Sequence, residues 1–240
     1  MVMLEMKGCG VLAEASINCP LLISLDASFC SQLKGDCLSA TVASCPLIES
    51  LLLGSCPSAG PGGLYFLCSL PHLTMLDLSY SFFMTLQPVF ESCLLLKVLK
   101  LQACKSLPCS SLEPLYKEDA LPALRELDLS YGTPCQSTME DLLAFCTQLT
   151  HVSLNGCLNM RDINWGSSGS QLSTLPGVYN SSASSSQENM RHPLDQPYHL
   201  LQTLNCVGRP KLSKVFIPPA ASFCPFVFVK SFSIRQFEGC

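Results

Sequence analysis

Sixteen cysteines are spread through this chain of 240 residues. Eight of them form four evenly spaced pairs: Cys19 and Cys30, Cys45 and Cys56, Cys93 and Cys104, Cys146 and Cys157. Thiols placed this regularly could ligate a metal, form disulfides or exchange electrons. A structural metal needs ligands clustered at short spacings. No C-x-x-C occurs, and His72, His151, His192 and His199 stand at no zinc-finger spacing from any cysteine. No metal and no cofactor are therefore expected. Disulfides are geometrically open, because equivalent residues on stacked copies of a repeat lie about 5 Å apart, within bridging range. Cys9, Cys30 and Cys56 are candidates of that kind. A chain this long does not need such staples, and a reducing compartment would keep most of its thiols unoxidised. A buried thiol also serves simply as a small apolar side chain with a weak S–H donor.

The elements that must position these thiols are legible as a repeat. The pattern C-x-x-L-x-x-L-x-L-x-x-C starts at residues 19, 45, 70, 93, 121 and 146, at intervals of 26, 25, 23, 28 and 25. Copies 70 ("LPHLTMLDLSYS") and 121 ("LPALRELDLSYG") keep the leucines and replace both thiols. Met1, Leu4, Met6 and Cys9 stand in the same phase, so the chain opens inside a copy. This period lies in the leucine-rich-repeat range. Residues two apart on a strand share a face, so Leu127 and Leu129 point inward together. The expected fold is an α/β leucine-rich-repeat solenoid, with a curved parallel sheet on the concave side and short helices on the convex side. The first thiol of each copy ends a convex helix, and the second occupies a turn after the strand that requires a small buried residue. In "STMEDLLAFC", Ser137 can cap a helix whose inward face is Leu142, Leu143 and Cys146. "TLQPVFESC" and "SLEPLYKEDAL" are weaker helices, each with a proline that only a first turn tolerates.

Residues 1–165 form the expected array. Residues 166–197 hold nine serines without periodicity and read as a disordered insertion, with a glycosylation sequon at Asn180 that matters only in a secreted protein. Residues 198–220 supply one or two degenerate copies, and 221–240 form a divergent tail. With 48% hydrophobic and 13% charged residues, much of the chain must be buried. A net charge of -4 leaves no electrostatic footprint for nucleic acid or an anionic membrane. No apolar run reaches the roughly 18–20 residues that span a bilayer. The opening "MVMLEMKGCGVLAEA" lacks the layout of a signal peptide, so an intracellular setting, cytoplasm or nucleus, is expected. No nucleophile elbow, phosphate loop, HExxH or dinucleotide fingerprint occurs, and no enzymatic activity is expected.

Several long runs go beyond the generic pattern: "VLKLQACKSL", "SLEPLYKEDALPALRELDLSYGT", "LTHVSLNGCLNMRDINWG", "YSFFMTLQPVFESC" and, later, "LLQTLNCVGRPKLSKVFIPP". They resemble the cysteine-containing repeats of plant F-box/LRR-repeat proteins of the number-fifteen type. The resemblance implies the substrate-recognition repeats of an SCF-type ubiquitin ligase receptor, acting in ubiquitin-dependent degradation. In that family an F-box binds the Skp adaptor. These residues contain none, so adaptor binding would depend on an F-box encoded upstream. The alternative is an intracellular repeat sensor, such as an immune receptor's ligand-binding array, with no ligase role.

Solenoids bind partners along the concave sheet. The outward positions that alternate with the leucines are Asp26 and Phe29; Asp77 and Tyr80; Lys100 and Gln102; Glu126, Asp128 and Tyr131; and His151 and Asn155. Aromatic rings beside acids are suited to holding a protein target, and the acidic lean favours a partner of basic character.

Overall fold

A computed structural model of the chain describes residues 2–11, 13–14, 16–56, 63–83, 85–159, 163–164, 200–208, 215–216 and 228–229. The serine-rich stretch 166–197, its sequon at Asn180 and most of the tail 221–240 lie outside the described residues.

Each copy contributes one three-residue strand: β1 Met3–Glu5, β2 Ser24–Asp26, β3 Ser50–Leu52, β4 Met75–Asp77, β5 Val98–Lys100, β6 Glu126–Asp128 and β7 His151–Ser153. They pair in parallel in chain order, and the middle residues Leu4, Leu25, Leu51, Leu76, Leu99, Leu127 and Val152 stand in one register. The sheet continues after the serine-rich stretch. β8 (Ile163–Asn164) leaves it and pairs instead with β10 (Val215–Phe216). β9 (Thr203–Asn205) takes the place beside β7, and β11 (Phe228–Val229) adds the ninth strand.

The other side carries helical segments: α1 Gly35–Ser44, a 3-10 turn at Gly63–Ser69, α2 Gln87–Ser92, α3 Glu113–Lys117 and α4 Gln136–Phe145. Pro88 and Pro114 occupy the first turns of α2 and α3, where a missing N–H costs nothing. Between the two layers the repeat leucines form one continuous core. Leu25, Leu51, Leu76, Leu99 and Leu127 are buried at the strand centres, and Ala27, Leu53, Leu78, Leu101 and Leu129 are buried two residues further on. Leu38 and Val42 of α1, Val89 of α2, and Met139, Leu142 and Leu143 of α4 close the core from the helical side. A leucine-rich-repeat solenoid results: no copy buries its apolar side alone, and each is completed by its neighbours.

The thiols take the positions that the spacing predicts except Cys19, which ends no helix: the described residues between β1 and β2 form none, and its side chain is only partly buried. Cys45, Cys93 and Cys146 are the C-caps of α1, α2 and α4. In the second slot, each Sγ donates to a carbonyl of the preceding copy: Cys30 to Met6 at 3.1 Å, Cys104 to Leu78 at 3.3 Å and Cys157 to Leu129 at 3.3 Å. Cys30 and Cys56 do not pair along this column, since Cys56 Sγ donates instead to the Cys30 carbonyl at 3.8 Å. Three further expectations require correction. Cys9 is exposed, because its strand β1 is the first of the sheet. Ser137 does not cap α4; the cap position is Cys135, just before the first helical residue, and its side chain makes no capping bond. Among the described residues one disulfide is present, and it joins Cys109 to Cys135 on the helical side rather than any column thiols.

Candidate functional site

The strand exits are set by a backbone arrangement that recurs from copy to copy. Two residues after the last inward position of the strand segment, the chain adopts a left-handed conformation: Gly8, Phe29, Ser55, Tyr80, Ala103, Tyr131, Gly156 and Gly208 all have φ between 55° and 77°. From Gly8 to Gly156, each of these amides donates to a carbonyl of the following copy, as in Tyr80 to Gln102 at 2.7 Å and Tyr131 to Asn155 at 2.6 Å. A non-glycine residue in this conformation costs about 1–2 kcal/mol, and bulky side chains there are rare. Phe29, Tyr80 and Tyr131 occupy it nonetheless and remain about half exposed. Backbone strain retained by exposed aromatic rings is an indication of function.

From β1 to β7 the aromatic copies alternate with plain ones. Asp26, Asp77 and Asp128 are each 51 residues apart, and each begins D-x-S-aromatic: Asp26-Ala27-Ser28-Phe29, Asp77-Leu78-Ser79-Tyr80 and Asp128-Leu129-Ser130-Tyr131. The carboxylate Oδ1 accepts the amide of the serine two residues on, at 2.9 Å in all three. The buried serines in turn accept amides from the next copy, Ser79 from Gln102 at 3.1 Å and Ser130 from Asn155 at 3.2 Å. The intervening copies place small residues at the left-handed position: Ser55, Ala103 and Gly156. Gly156 shows why. A Cβ built there would lie 2.5 Å from Cδ1 of Tyr131, so the ring rests directly on the glycine of the next copy.

Two neighbouring features result. On the strand face, Lys100, Glu126, Asp128, His151 and Ser153 surround a depression of about 80 Å³. Lys100 stands between Asp77 and Asp128 on the adjoining strands. His151 Nδ1 contacts Thr150 Oγ1 at 2.9 Å. At the strand-exit rim, Tyr80 and Tyr131 flank an open groove of about 580 Å³ whose other walls include Lys105, Thr133, Leu158 and Asn159. That volume falls in the range of ligand-accepting clefts.

The expected site residues therefore divide. Lys100, Glu126, Asp128 and His151 share the depression, and Tyr80 and Tyr131 share the groove. Gln102 bridges copies, donating from Nε2 to Asp128 Oδ2 at 2.6 Å. Asn155 is committed to the backbone, its Oδ1 accepting the Val207 amide at 2.9 Å. Asp26 and Phe29 lie apart on the N-terminal side of the plain copy at β3, and Lys7 Nζ sits 5.7 Å from the Phe29 ring centre. Lys105, Thr133, Leu158 and Asn159 escaped the sequence reading, because they follow the repeat pattern's last position. A sequence signal for the rim does exist, in the recurrence of the Asp-x-Ser-aromatic run.

Among the described residues there is no cluster of three or more His, Cys, Asp or Glu that could hold a metal, and no helix long and apolar enough to cross a membrane.

No family model matches the sequence. Solved structures similar to this chain include an internalin (inlC2) from Listeria monocytogenes, at 14% identity over 80% of this chain and 75% of that one, with a TM-score of 0.45. A second internalin (inlF) from the same organism matches at 12% identity over 98% of this chain and 88% of that one, with a TM-score of 0.33. A chain in the complex of Rad7 and Elc1 from yeast matches at 14% identity over 82% of this chain and 63% of that one, with a TM-score of 0.36.

Proposed function

We propose that this chain is a protein-interaction module, the target-holding repeats of an SCF-type ubiquitin ligase receptor that acts in intracellular protein degradation. The observation that supports this reading is the pairing of the tyrosine-flanked groove with the charged strand face beside it. Exposed rings on a rigid rim supply apolar contact at low entropic cost, and the neighbouring charges supply register and on-rate. The ligase assignment rests on the resemblance of the repeat runs to plant F-box/LRR-repeat proteins. The protein target would lie along the concave face. The Skp adaptor would be a partner only where an F-box stands upstream of these repeats.

The test is capture of a ubiquitin-ligase target by the full-length protein from cell extract. Asp77 and Asp128 hold their turns through Oδ1, so replacing them by lysine would disturb the fold along with the charge. Asp77→Asn combined with Asp128→Asn keeps the acceptor and removes the charge. With Tyr80→Ser and Tyr131→Ser, it should weaken target binding at least tenfold while the circular dichroism spectrum stays unchanged. Full retention of the target by the quadruple variant would remove this face from consideration. Absence of the adaptor from the purified complex would remove the ligase reading.

A further inference from the structure

Among the described residues, the thiols buried in the core and the disulfide pair are chemically distinct. Those packed in the solenoid are held away from water, and burial pushes Cys104 up to about 11 and both Cys93 and Cys146 up to about 12. At neutral pH such groups stay protonated, and the thiolate is the reactive form. Cys109 and Cys135 differ in every respect. They are joined to each other with Cα atoms 5.9 Å apart, and Cys135 is exposed while Cys109 is half-buried. Each follows a proline, in Pro108-Cys109 and Pro134-Cys135, and each stands at the start of a helical segment in neighbouring copies. The Cys135 amide donates to Cys109 Sγ at 2.9 Å.

The bond also lies beside the groove. Cys109, Gly132, Thr133 and Pro134 line a small cavity of about 20 Å³ on the helical side, and Gly132 and Thr133 line the tyrosine-flanked groove as well. Residues 132–135 thus form a strap with the groove on one side and the cavity on the other. Thr133 Oγ1 reaches across to the Lys105 carbonyl at 3.5 Å, a weak tie that leaves the disulfide as the strap's firm attachment to the preceding copy.

We propose that Cys109–Cys135 is a thiol–disulfide exchange site, a reversible clasp that sets the position of strap 132–135 and with it the floor of the groove. The chemistry needs a dithiol reductant. Its thiolate attacks the exposed Cys135 Sγ, the S–S bond breaks, and the electron pair leaves on Cys109 Sγ. That sulfur keeps the Cys135 N–H as donor at the start of α4, an environment that favours a thiolate leaving group. The second thiol of the reductant, once ionised, attacks its own partner sulfur in the mixed disulfide and releases Cys135. Two electrons pass to the protein pair, the two protein thiolates take up the two protons shed by the reductant thiols, and the reductant ends as its disulfide. Glutathione disulfide restores the bond: one protein thiolate attacks it and releases a glutathione thiolate, and the other protein thiolate then attacks the protein sulfur of the mixed disulfide and releases the second.

The test uses the full chain under native conditions at pH 7.5. N-Ethylmaleimide labelling followed by peptide mass spectrometry should find Cys109 and Cys135 protected in the protein as isolated. After dithiothreitol treatment both should label at least tenfold faster than Cys93, Cys104 and Cys146, and glutathione disulfide should restore protection. Nitration of Tyr80 and Tyr131 by tetranitromethane should change at least twofold on reduction. In Cys109→Ser/Cys135→Ser it should already have the reduced-state value and no longer respond to dithiothreitol. Labelling of the pair without reductant, reduction only when the chain unfolds, or nitration indifferent to the pair's state would each overturn the proposal.

Discussion

The Asp-x-Ser-aromatic copies and the plain copies between them share one leucine core and differ most at the strand exit. Inward, the two kinds are interchangeable: Leu76 and Leu78 of an aromatic copy and Leu99 and Leu101 of the plain copy beside it are equally buried. At the rim they are complementary. The aromatic copy brings a carboxylate that holds its own turn, a buried serine that accepts the neighbour's amide, and a ring. The plain copy brings the small residue on which such a ring can rest, as Gly156 does for Tyr131. The difference teaches that the structural unit along the rim is two copies long, although the core has a period of one. A surface built on that double period spaces its rings two strands apart, about 10 Å, leaving room between them for a groove.

The contact that most directly joins the two kinds of copy is Tyr131 on Gly156, and breaking it should have the largest effect. Gly156→Ala places a Cβ against the ring and a side chain at φ +65°. The two penalties together should cost about 2–4 kcal/mol in urea unfolding. In a Tyr131→Ala background only the backbone penalty remains, and the cost should fall to about 1 kcal/mol. An equal cost in both backgrounds would mean that the ring and the glycine are independent, and the two-copy unit would be wrong.

A smaller effect separates the same strand position in the two kinds of copy. Asp128 satisfies the Ser130 amide and receives Gln102 Nε2, so Asp128→Ala should lose about 1–2 kcal/mol. Lys100 holds the equivalent place in the plain copy, and Lys100→Ala should stay within about 0.5 kcal/mol. Asp128→Asn should recover the part owed to the Ser130 amide, since Oδ1 still accepts there, but not the part owed to Gln102, whose Nε2 would meet an amide nitrogen in place of Oδ2. Equal losses at Asp128 and Lys100, measured in the same denaturant series, would erase the distinction at this position.

The core and the rim were unequally legible in the sequence. The strand register, the inward leucines and the helix-ending thiols followed from spacing alone, because burial in a solenoid depends on residue type and period and on little else. The prolines of α2 and α3 were equally readable, since proline is tolerated in one place in a helix. The groove was not readable in the same way. It is made from residues such as Lys105, Thr133 and Leu158, which sit where the chain leaves the pattern, and from a left-handed turn that tyrosine does not advertise. Asp26, Asp77 and Asp128 read as outward charges, and their commitment to the turn appears only once the amides of Ser28, Ser79 and Ser130 are placed. The Cys109–Cys135 bond escaped for a related reason: the cysteine periodicity drew attention to the core columns, whereas this pair marks the starts of helical segments and repeats as Pro-Cys.

The smallest predicted effect tests the comparison where an aromatic copy departs from the thiol column. Ser81 stands in the slot that Cys56 fills in the copy before and Cys104 in the copy after, and its hydroxyl is buried with no hydrogen-bond partner among the described residues. The neighbouring thiols show what the slot accommodates, since Cys104 Sγ reaches the Leu78 carbonyl of the preceding copy at 3.3 Å. The longer C–S bond should let a sulfur at position 81 reach the matching carbonyl of Leu53, and a thiol is far less costly to bury than a hydroxyl left without a partner. Ser81→Cys should therefore raise unfolding stability by about 1 kcal/mol. The Phe29 copy already carries the column thiol as Cys30, and the same change should fail in the Tyr131 copy. At Gly132 a Cβ would approach the Leu129 carbonyl oxygen to 3.0 Å, because the chain there already bends into the strap held by Cys135. A stabilised Ser81→Cys beside a destabilised Gly132→Cys would establish that the Tyr80 copy accepts the column thiol as the Phe29 copy does, and that the strap excludes it from the Tyr131 copy. A neutral or destabilising Ser81→Cys would show instead that the column's geometry changes with the ring.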